Sequence, residues 1–186
     1  MEKMKVRDLM RPIEEFPRVS NQATFMEAVE ALAEADKQFL AGRAKQRILL
    51  VCDEAGKVVG KMSPMDVVQG LEPNYEGLES LKTMPRYPLA PNLVDAMKEE
   101  LLVWQRPLTE LCRKATGVKI KNFIKLPTPD HMVQANDRMD KAFHLFVIGR
   151  HDSLFVKEGE DIVGVIRFSD VYRKIIETMR ECPAPQ

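Results

Sequence analysis

ILLVCDEAGKVVGKMSPMD at residues 48–66 and LFVKEGEDIVGVIRFSD at residues 154–170 are two stretches of this chain that share one pattern. Each begins with an apolar run, continues through an acidic turn that contains glycine, and enters a second apolar run that holds another glycine. An aspartate follows that second glycine by six residues in both stretches, at Asp66 and at Asp170. Two short β-branched runs joined by a turn of this kind predict a β-hairpin, and the shared spacing predicts that the hairpin occurs twice.

The similarity extends on both sides of the hairpins. Upstream, residues 5–10 match residues 119–124 at an offset of 114, and the same offset pairs Val19 with Val133. Within the hairpins the offset is 104, which pairs Leu50 with Leu154. A sustained offset is the signature of an internal repeat. The change of offset between the two regions predicts that the first helix is longer in copy one.

Each copy is predicted to run strand, helix, strand, strand, helix. The apolar positions after Thr24 and after Arg138 recur at helical spacing, whereas the shorter runs alternate or are continuous as strands are. Gly149 is placed where a left-handed C-terminal cap is expected. The predicted strands cover residues 18–20, 48–52 and 57–62 in copy one, and residues 132–134, 153–156 and 161–166 in copy two.

The repeats divide the chain into three parts. Residues 1–72 form the first repeat, residues 73–118 a connecting segment, and residues 119–186 the second repeat. The connecting segment is rich in proline at first and then predicts two amphipathic helices, one from Asn92 and one from Pro107. These helices are too apolar for a flexible linker, so they either cap their own pair or form the interface of a homodimer. We expect the homodimer.

Composition narrows the choice of partners. Lys plus Arg equals Asp plus Glu at 28 each, which provides no charge field for nucleic acid or an anionic membrane. The three cysteines are scattered and odd in number, which favours a reducing compartment, and the cytoplasm is the simplest prediction. Neither a secretory signal nor a membrane-spanning segment is expected.

The two hairpins, each ending in an apolar-Gly strand and followed by a helix that starts near Asp66 or Asp170, resemble the CBS domain, named after cystathionine β-synthase. The resemblance covers about residues 3–72 and 119–182. It implies an α+β fold in which two βαββα repeats are related by a pseudo-twofold axis. It also implies clefts between the repeats that hold adenosine-type ligands such as AMP, ADP, ATP or S-adenosylmethionine.

The resemblance also implies roles for individual residues. The aspartate takes the ribose hydroxyls, and a Thr or Ser three positions earlier meets phosphate. Copy one matches with Ser63 and Asp66, and its predicted wall is formed by Lys61 and Met62. Its departures are Lys61 at an apolar-leaning position and Pro64 after the serine.

Copy two matches at Asp170, but Arg167 replaces the Thr or Ser and Ser169 stands beside the aspartate. Val165 and Ile166 form its predicted wall. We expect a nucleotide in this cleft, with Ser169 and Arg167 toward phosphate. Three simpler roles stay open: both aspartates can stabilise their own helices, Ser63 can be a helix cap, and Arg167 can form a salt bridge.

Catalysis is not predicted. The sequence has no Walker loop, CxxC or nucleophile motif, and His131, His144 and His151 show no metal-ligand spacing. We therefore expect no metal and no required cofactor. The leading hypothesis is a regulatory module that changes its shape or assembly when a ligand binds. An unknown effector protein would recognise that change. The alternative is a ligand-free homo-oligomeric scaffold or interaction module.

Overall fold

The computed structural model describes residues 4–72, 106–124 and 126–181. The first part contains six elements: β1 (Arg11–Pro12), β2 (Arg18–Ser20), α1 (Phe25–Leu40), β3 (Leu49–Cys52), β4 (Val58–Met62) and α2 (Pro64–Leu71). The rest contains α3 (Leu108–Ala115), β5 (Met132–Gln134), α4 (Met139–Gly149), β6 (Ser153–Glu158), β7 (Asp161–Arg167) and α5 (Phe168–Glu181). The predicted order of strand, helix, strand, strand, helix is confirmed in both copies.

The first helix of copy one begins at a capping box. Thr24 caps α1, because its hydroxyl accepts from the backbone N–H of Glu27 at 3.3 Å and the Glu27 carboxylate accepts from the Thr24 N–H at 2.7 Å. α1 has 16 residues and α4 has 11, as the change of offset predicts. The predicted cap at Gly149 is wrong by one residue, since Gly149 is the last helical residue and Arg150 takes the left-handed conformation with φ of 50°.

The strands form two sheets. One has the order β2-β3-β4 and the other β1-β7-β6-β5. β2 runs parallel to β3, and β5 runs parallel to β6, while each hairpin is antiparallel. Val51 pairs with Gly60 whereas Val156 pairs with Gly164, so the turn of the first hairpin is one residue longer. The predicted match of Leu50 with Leu154 is therefore wrong by one position, because Leu50 corresponds to Phe155.

The core has three layers of contact. Leu49, Val51 and Met62 pack under α1, and Leu154, Val156 and Ile166 pack under α4. The alternate strand residues point the other way, and together they fill the space between the two sheets. This third cluster consists of Phe16, Leu50, Cys52, Val58, Phe155 and Val165. The alternation follows from the two-residue period of a strand.

The segment before β2 packs in the core of the second copy, and the segment before β5 packs in the core of the first copy. The two copies thus exchange these segments. Val6 is fully buried in the core of the second copy, beside Val133 and Met139. Ile120, its equivalent at an offset of 114, is fully buried in the core of the first copy, beside Ala28. β1 continues the exchange by pairing with β7. The exchange is reciprocal, as a pseudo-twofold relation between the copies requires.

The connecting segment is only partly described. In α3, Leu111 and Ala115 are buried, whereas Leu108 is 57% exposed. The helix predicted from Asn92 falls outside the described residues. Among the residues that are described, none of the helices is long and apolar enough to cross a membrane.

Candidate functional site

The head of α5 holds a buried carboxylate. Asp170 lies in the first turn of the helix, and its side chain is only 4% exposed. Arg167 donates to it from two nitrogens, Nε to Oδ2 at 2.7 Å and Nη2 to Oδ1 at 2.8 Å. This bidentate geometry is the strong form of a carboxylate–guanidinium pair. The expectation that Arg167 can form a salt bridge is confirmed.

Two further guanidinium groups reach the same carboxylate. Arg11 of β1 donates to both carboxylate oxygens at 3.4 Å, and Arg173, one helical turn after Asp170, donates to Oδ1 at 3.2 Å. These contacts are longer than those of Arg167, and both side chains are more exposed, at 35% for Arg11 and 64% for Arg173. Three cations therefore converge on one anion, which leaves an excess of positive charge at the helix head.

The charges around Asp170 set its ionisation. Burial raises the pKa of Asp170, but the hydrogen bonds and positive charges of Arg167 and Arg11 outweigh burial, so the pKa lies below its ordinary value. The carboxylate is thus ionised at neutral pH.

Arg167 also ties the two copies together. Its Nη1 donates to Oε1 of Gln46 at 2.8 Å, and Gln46, just before β3, is 1% exposed. Gln46 in turn donates to Glu15 at 3.4 Å. All three guanidinium nitrogens of Arg167 are therefore engaged within the protein.

A small open cleft lies between α5 and residues 4–12, which we call the N-terminal arm. Its volume is about 200 Å³, and it is lined by Asp8, Leu9, Met10, Arg11, Asp170, Arg173, Lys174 and Glu177. The arm can approach this closely because Gly164 has no side chain: a Cβ there would lie 2.7 Å from the carbonyl oxygen of Arg11. Pockets for drug-sized ligands generally measure about 300–1,000 Å³, so this cleft has room for only part of a nucleotide.

The other predicted residues of copy two lie in different places. Ser169 is exposed on the first turn of α5. Val165 and Ile166 are fully buried, and they face opposite sides of the sheet: Val165 joins the cluster between the sheets and Ile166 packs under α4. The structure brings Arg167, at the end of β7, into contact with Asp170, and Ser169 lies beside them in the first turn of α5. It does not expose Val165 and Ile166 on one wall.

The head of α2 is the equivalent place in copy one, and it is closed locally. Oδ2 of Asp66 accepts from the backbone N–H of Ser63 at 2.7 Å and from its hydroxyl at 2.5 Å. The expectation that Ser63 belongs to a helix cap is confirmed. Met62 is fully buried under α1.

Lys61 leaves this site and crosses to copy two. Its ammonium group donates to Asp152 at 3.2 Å, to the backbone oxygen of Ser153 at 3.2 Å and to the hydroxyl of Ser153, and it lies 6.0 Å from the ring centre of Phe155. The apolar-leaning position of the repeat therefore carries an ion pair between the copies.

Sequence reasoning missed Arg11 and Gln46, which complete the surroundings of Asp170 and Arg167. Gln46 had no signal, since it lies in an irregular stretch. Arg11 had an indirect one, because the match between residues 5–10 and 119–124 marked the arm as part of the repeat.

This architecture matches solved CBS-domain structures. The CBS-pair protein CBSX2 from Arabidopsis thaliana aligns at 17% identity with a TM-score of 0.57, over 96% of this chain and 98% of that one. A CBS domain-containing protein from Kribbella flavida aligns at 20% identity with a TM-score of 0.52, over 93% and 98%. The cytosolic domain of the Mg²⁺ channel MgtE, in complex with ATP, aligns at 16% identity with a TM-score of 0.54, over 93% and 49%.

The chain therefore has the fold of a tandem CBS-domain pair, as the sequence predicts. CBSX2 has also been solved in complex with AMP, and that structure aligns with a TM-score of 0.57 at 17% identity over 95% of this chain and 98% of that one. No family model matches the chain, and no curated protein sequence matches it either.

Proposed function

We propose that this protein is a regulatory module that binds an adenine nucleotide in the cleft beside the head of α5. The observation that carries the proposal is the convergence of three guanidinium groups on the buried carboxylate of Asp170 at the edge of that cleft. Such a site offers both an acceptor for a ribose diol and donors for phosphate. The AMP complex of CBSX2 and the ATP complex of MgtE, which share the fold, support an adenine nucleotide.

The three arginines have different roles in the proposal. Arg11 and Arg173 make the longer contacts and are partly exposed, so a phosphate group can draw them away from Asp170. Arg167 stays in place because Gln46 also holds it, and it keeps the carboxylate oriented toward the ribose. Ser169 lies on the same turn but is not among the residues that line the cleft, so we assign the phosphate to Arg11 and Arg173. This division modifies the sequence expectation, in which Arg167 itself met phosphate.

The same exchange of partners supplies a switch. Arg11 belongs to β1, which is joined to β7 through only two paired residues. A ligand that takes Arg11 from Asp170 therefore acts directly on the N-terminal arm. We propose that an effector protein reads the resulting change in the arm or in the assembly.

The predicted site at Asp66 is the second candidate. There the serine and the aspartate satisfy one another, and Lys61 is engaged with Asp152 and Ser153. A ligand would have to break the cap at Ser63 to reach the carboxylate, so we place the nucleotide at Asp170.

Calorimetric titration of the full chain with AMP, ADP, ATP and S-adenosylmethionine tests this proposal. Asp170→Asn keeps the shape of the side chain but removes its charge, and it should cost about 1.5–3 kcal/mol of binding free energy. Asp66→Asn is the matched control and should bind as the wild type does. Equal affinities for all three proteins, each shown to be folded by circular dichroism, would reject the site. No binding of any of the four ligands would favour the scaffold.

The sequence analysis placed a homodimer interface at the connecting helices, but Leu111 and Ala115 of α3 are buried within the chain. We propose a homodimer that forms through α5 and the end of α4 instead. α5 and the end of α4 expose apolar side chains: Phe168 is 44% exposed, Tyr172 54%, Met179 69% and Val147 69%. Light scattering should give twice the 21.3 kDa of one chain. Tyr172→Glu should yield the monomer, whereas Met65→Glu, at a residue of α2 that is 65% exposed, should not. A wild-type mass of one chain would contradict the dimer.

The remaining parts of the proposal are the cytoplasm as the compartment and the absence of catalysis. Chromatography of AMP and ATP after prolonged incubation with the protein tests the second part. Recovery of the nucleotides unchanged is the expected result.

A further inference from the structure

Two of the three histidines lie side by side at one edge of the second sheet. β5 and β6 are parallel neighbours, with Met132 paired to Phe155. His131 comes directly before β5 and His151 two residues before β6, so the parallel pairing brings both to the same end of the sheet. Their ring centres are 3.8 Å apart. The sequence spacing gave no indication of this contact.

Asp130 lies against both rings. Its Oδ1 is 3.6 Å from Nδ1 of His131, and its Oδ2 is 3.7 Å from Nε2 of His151. These separations exceed the 2.7–3.2 Å of an N–H···O hydrogen bond. Ligand atoms that share a tetrahedral Zn²⁺ at 2.0–2.1 Å stand roughly 3.3 Å apart. Each carboxylate oxygen thus stands near one imidazole nitrogen at a separation beyond a direct hydrogen bond. One ligand atom from each of the three residues lies within 4.8 Å of the other two, so small movements bring all three around a common ion.

His151 supplies a second and independent observation. Its side chain is 11% exposed, and its Nε2 is buried with no hydrogen-bond partner among the residues that the structure describes. Native proteins rarely leave a buried polar nitrogen unpaired, because the loss of hydration is costly. The nitrogen that lacks a partner is the same one that faces Asp130.

Gly149 makes the room for this ring. A Cβ at that position would lie 2.2 Å from Nε2 of His151. α4 thus ends, next to the unpaired nitrogen, in the one residue type that leaves space for it.

We propose that Asp130, His131 and His151 bind a divalent transition-metal ion of the zinc class. Nδ1 of His131, Nε2 of His151 and one carboxylate oxygen of Asp130 serve as ligands, and water completes the tetrahedron. Two imidazoles with one carboxylate suit Zn²⁺, whereas Mg²⁺ and Ca²⁺ prefer oxygen alone. The site does not depend on nucleotide binding at Asp170.

The surroundings are compatible with a cation. The hydroxyl of Thr128 lies 2.8 Å from Nδ1 of His131 and also donates to Asp130. Metal binding replaces the first of these contacts and keeps the second. The charge of Lys61, on the hairpin of the other copy, is paired with Asp152.

The test is calorimetric titration of the nucleotide-free full chain with Zn²⁺. Cys112 is exposed and Cys182 lies outside the described residues, so both are first changed to serine to remove competing thiolates. One saturable ion per chain is expected. His151→Gln and Asp130→Asn should each weaken binding at least about tenfold, since even outer-shell partners of a metal cost 10–100-fold.

His144→Gln is the matched control, because His144 is exposed on α4 outside the cluster. It should bind Zn²⁺ as the parent does, and Gly149→Ala should lose affinity by displacing the ring of His151. Absence of saturable binding, or unchanged binding by the double variant His131→Gln/His151→Gln, would overturn the proposal. If His151→Gln does not fold, Asp130→Asn decides, because that side chain is 61% exposed.

Discussion

The N-terminal turns of α2 and α5 occupy the same position in the two copies, yet different partners hold the aspartate in each. Asp66 and Asp170 both lie in the first turn of a helix that follows a hairpin. Ser63, three residues before Asp66, closes that turn within four residues of chain. Arg167, three residues before Asp170, holds the carboxylate in two hydrogen bonds and also reaches Gln46 of the other copy.

The difference shows what one position of the repeat controls. With serine there, the aspartate is a local helix cap and stays partly exposed. With arginine there, the aspartate becomes a buried junction between the N-terminal arm, the loop before β3 and α5. A ligand at the first head would disturb one turn, whereas a ligand at the second would disturb contacts between residues up to 159 positions apart.

Removal of each carboxylate should show the largest difference in stability between the two helix heads. Asp170→Ala leaves the half-buried guanidinium group of Arg167 without its anion and should lower the free energy of unfolding by about 3 kcal/mol. Asp66→Ala removes only a cap and should cost about 1 kcal/mol. Urea denaturation monitored by circular dichroism measures both. Equal losses would mean that Asp170 is no more than a helix cap.

Replacement of Arg167 by the residue that copy one has at Ser63 should have the next largest effect on stability. Arg167→Ser removes the charged hydrogen bonds to Asp170 and Gln46, but it offers a cap of the Ser63 type, so we expect a loss of about 2 kcal/mol. The same urea titration measures it. A loss below that of Asp66→Ala would show that Arg11 and Arg173 suffice to hold the carboxylate.

The stability difference between the wild type and Asp170→Asn should disappear at low pH. Burial raises the pKa of Asp170, but Arg167 and Arg11 lower it further, so the folded pKa lies below the unfolded one. The stabilisation is therefore complete above the unfolded value of about 3.9 and is lost as the pH falls through the folded pKa. Urea midpoints of the two proteins, compared from about pH 7 to about pH 2.5, should converge only in acid. Convergence already near neutrality would contradict the lowered pKa.

Loss of the ion pair between Lys61 and Asp152 should have the smallest effect on stability. Lys61→Val places in copy one the residue that copy two has at Val165, and it removes the contact with Asp152, which is 80% exposed. Exposed pairs contribute little, and the valine gains apolar contact, so the change should stay within about 1 kcal/mol. Thermal unfolding measures the effect. A larger loss would make Lys61 a principal link between the copies.

Much of the fold could be predicted from local signals. Strands 18–20 and 132–134 were predicted with the bounds that the structure has, because Val19 and Val133 match at the offset of the repeat. The one-residue error in matching Leu50 arose in the first hairpin turn, where an extra residue shifts the register without changing the apolar pattern. The apolar periodicity predicts which strand residues are buried, but it does not determine how many residues the turn between two strands contains.

The candidate sites were harder to predict because they depend on distant contacts. Arg11 meets Asp170 only through the pairing of β1 with β7, and a two-residue strand leaves no periodic signal. His131 and His151 are 20 positions apart and meet because β5 and β6 run parallel. Their positions just before two strands of the same sheet were visible in the sequence, but the pairing of those strands was not.

The exchanged arms have a consequence for synthesis on the ribosome. The core of the first copy lacks Ile120 until that residue has been made, and Val6 has no core to enter until Val133 and Met139 exist. The core of the N-terminal copy therefore stays incomplete until more than half of the chain has been synthesised. Contacts this distant in sequence raise the contact order and slow folding. The two halves should accordingly acquire their final structure together, late in translation, rather than one after the other.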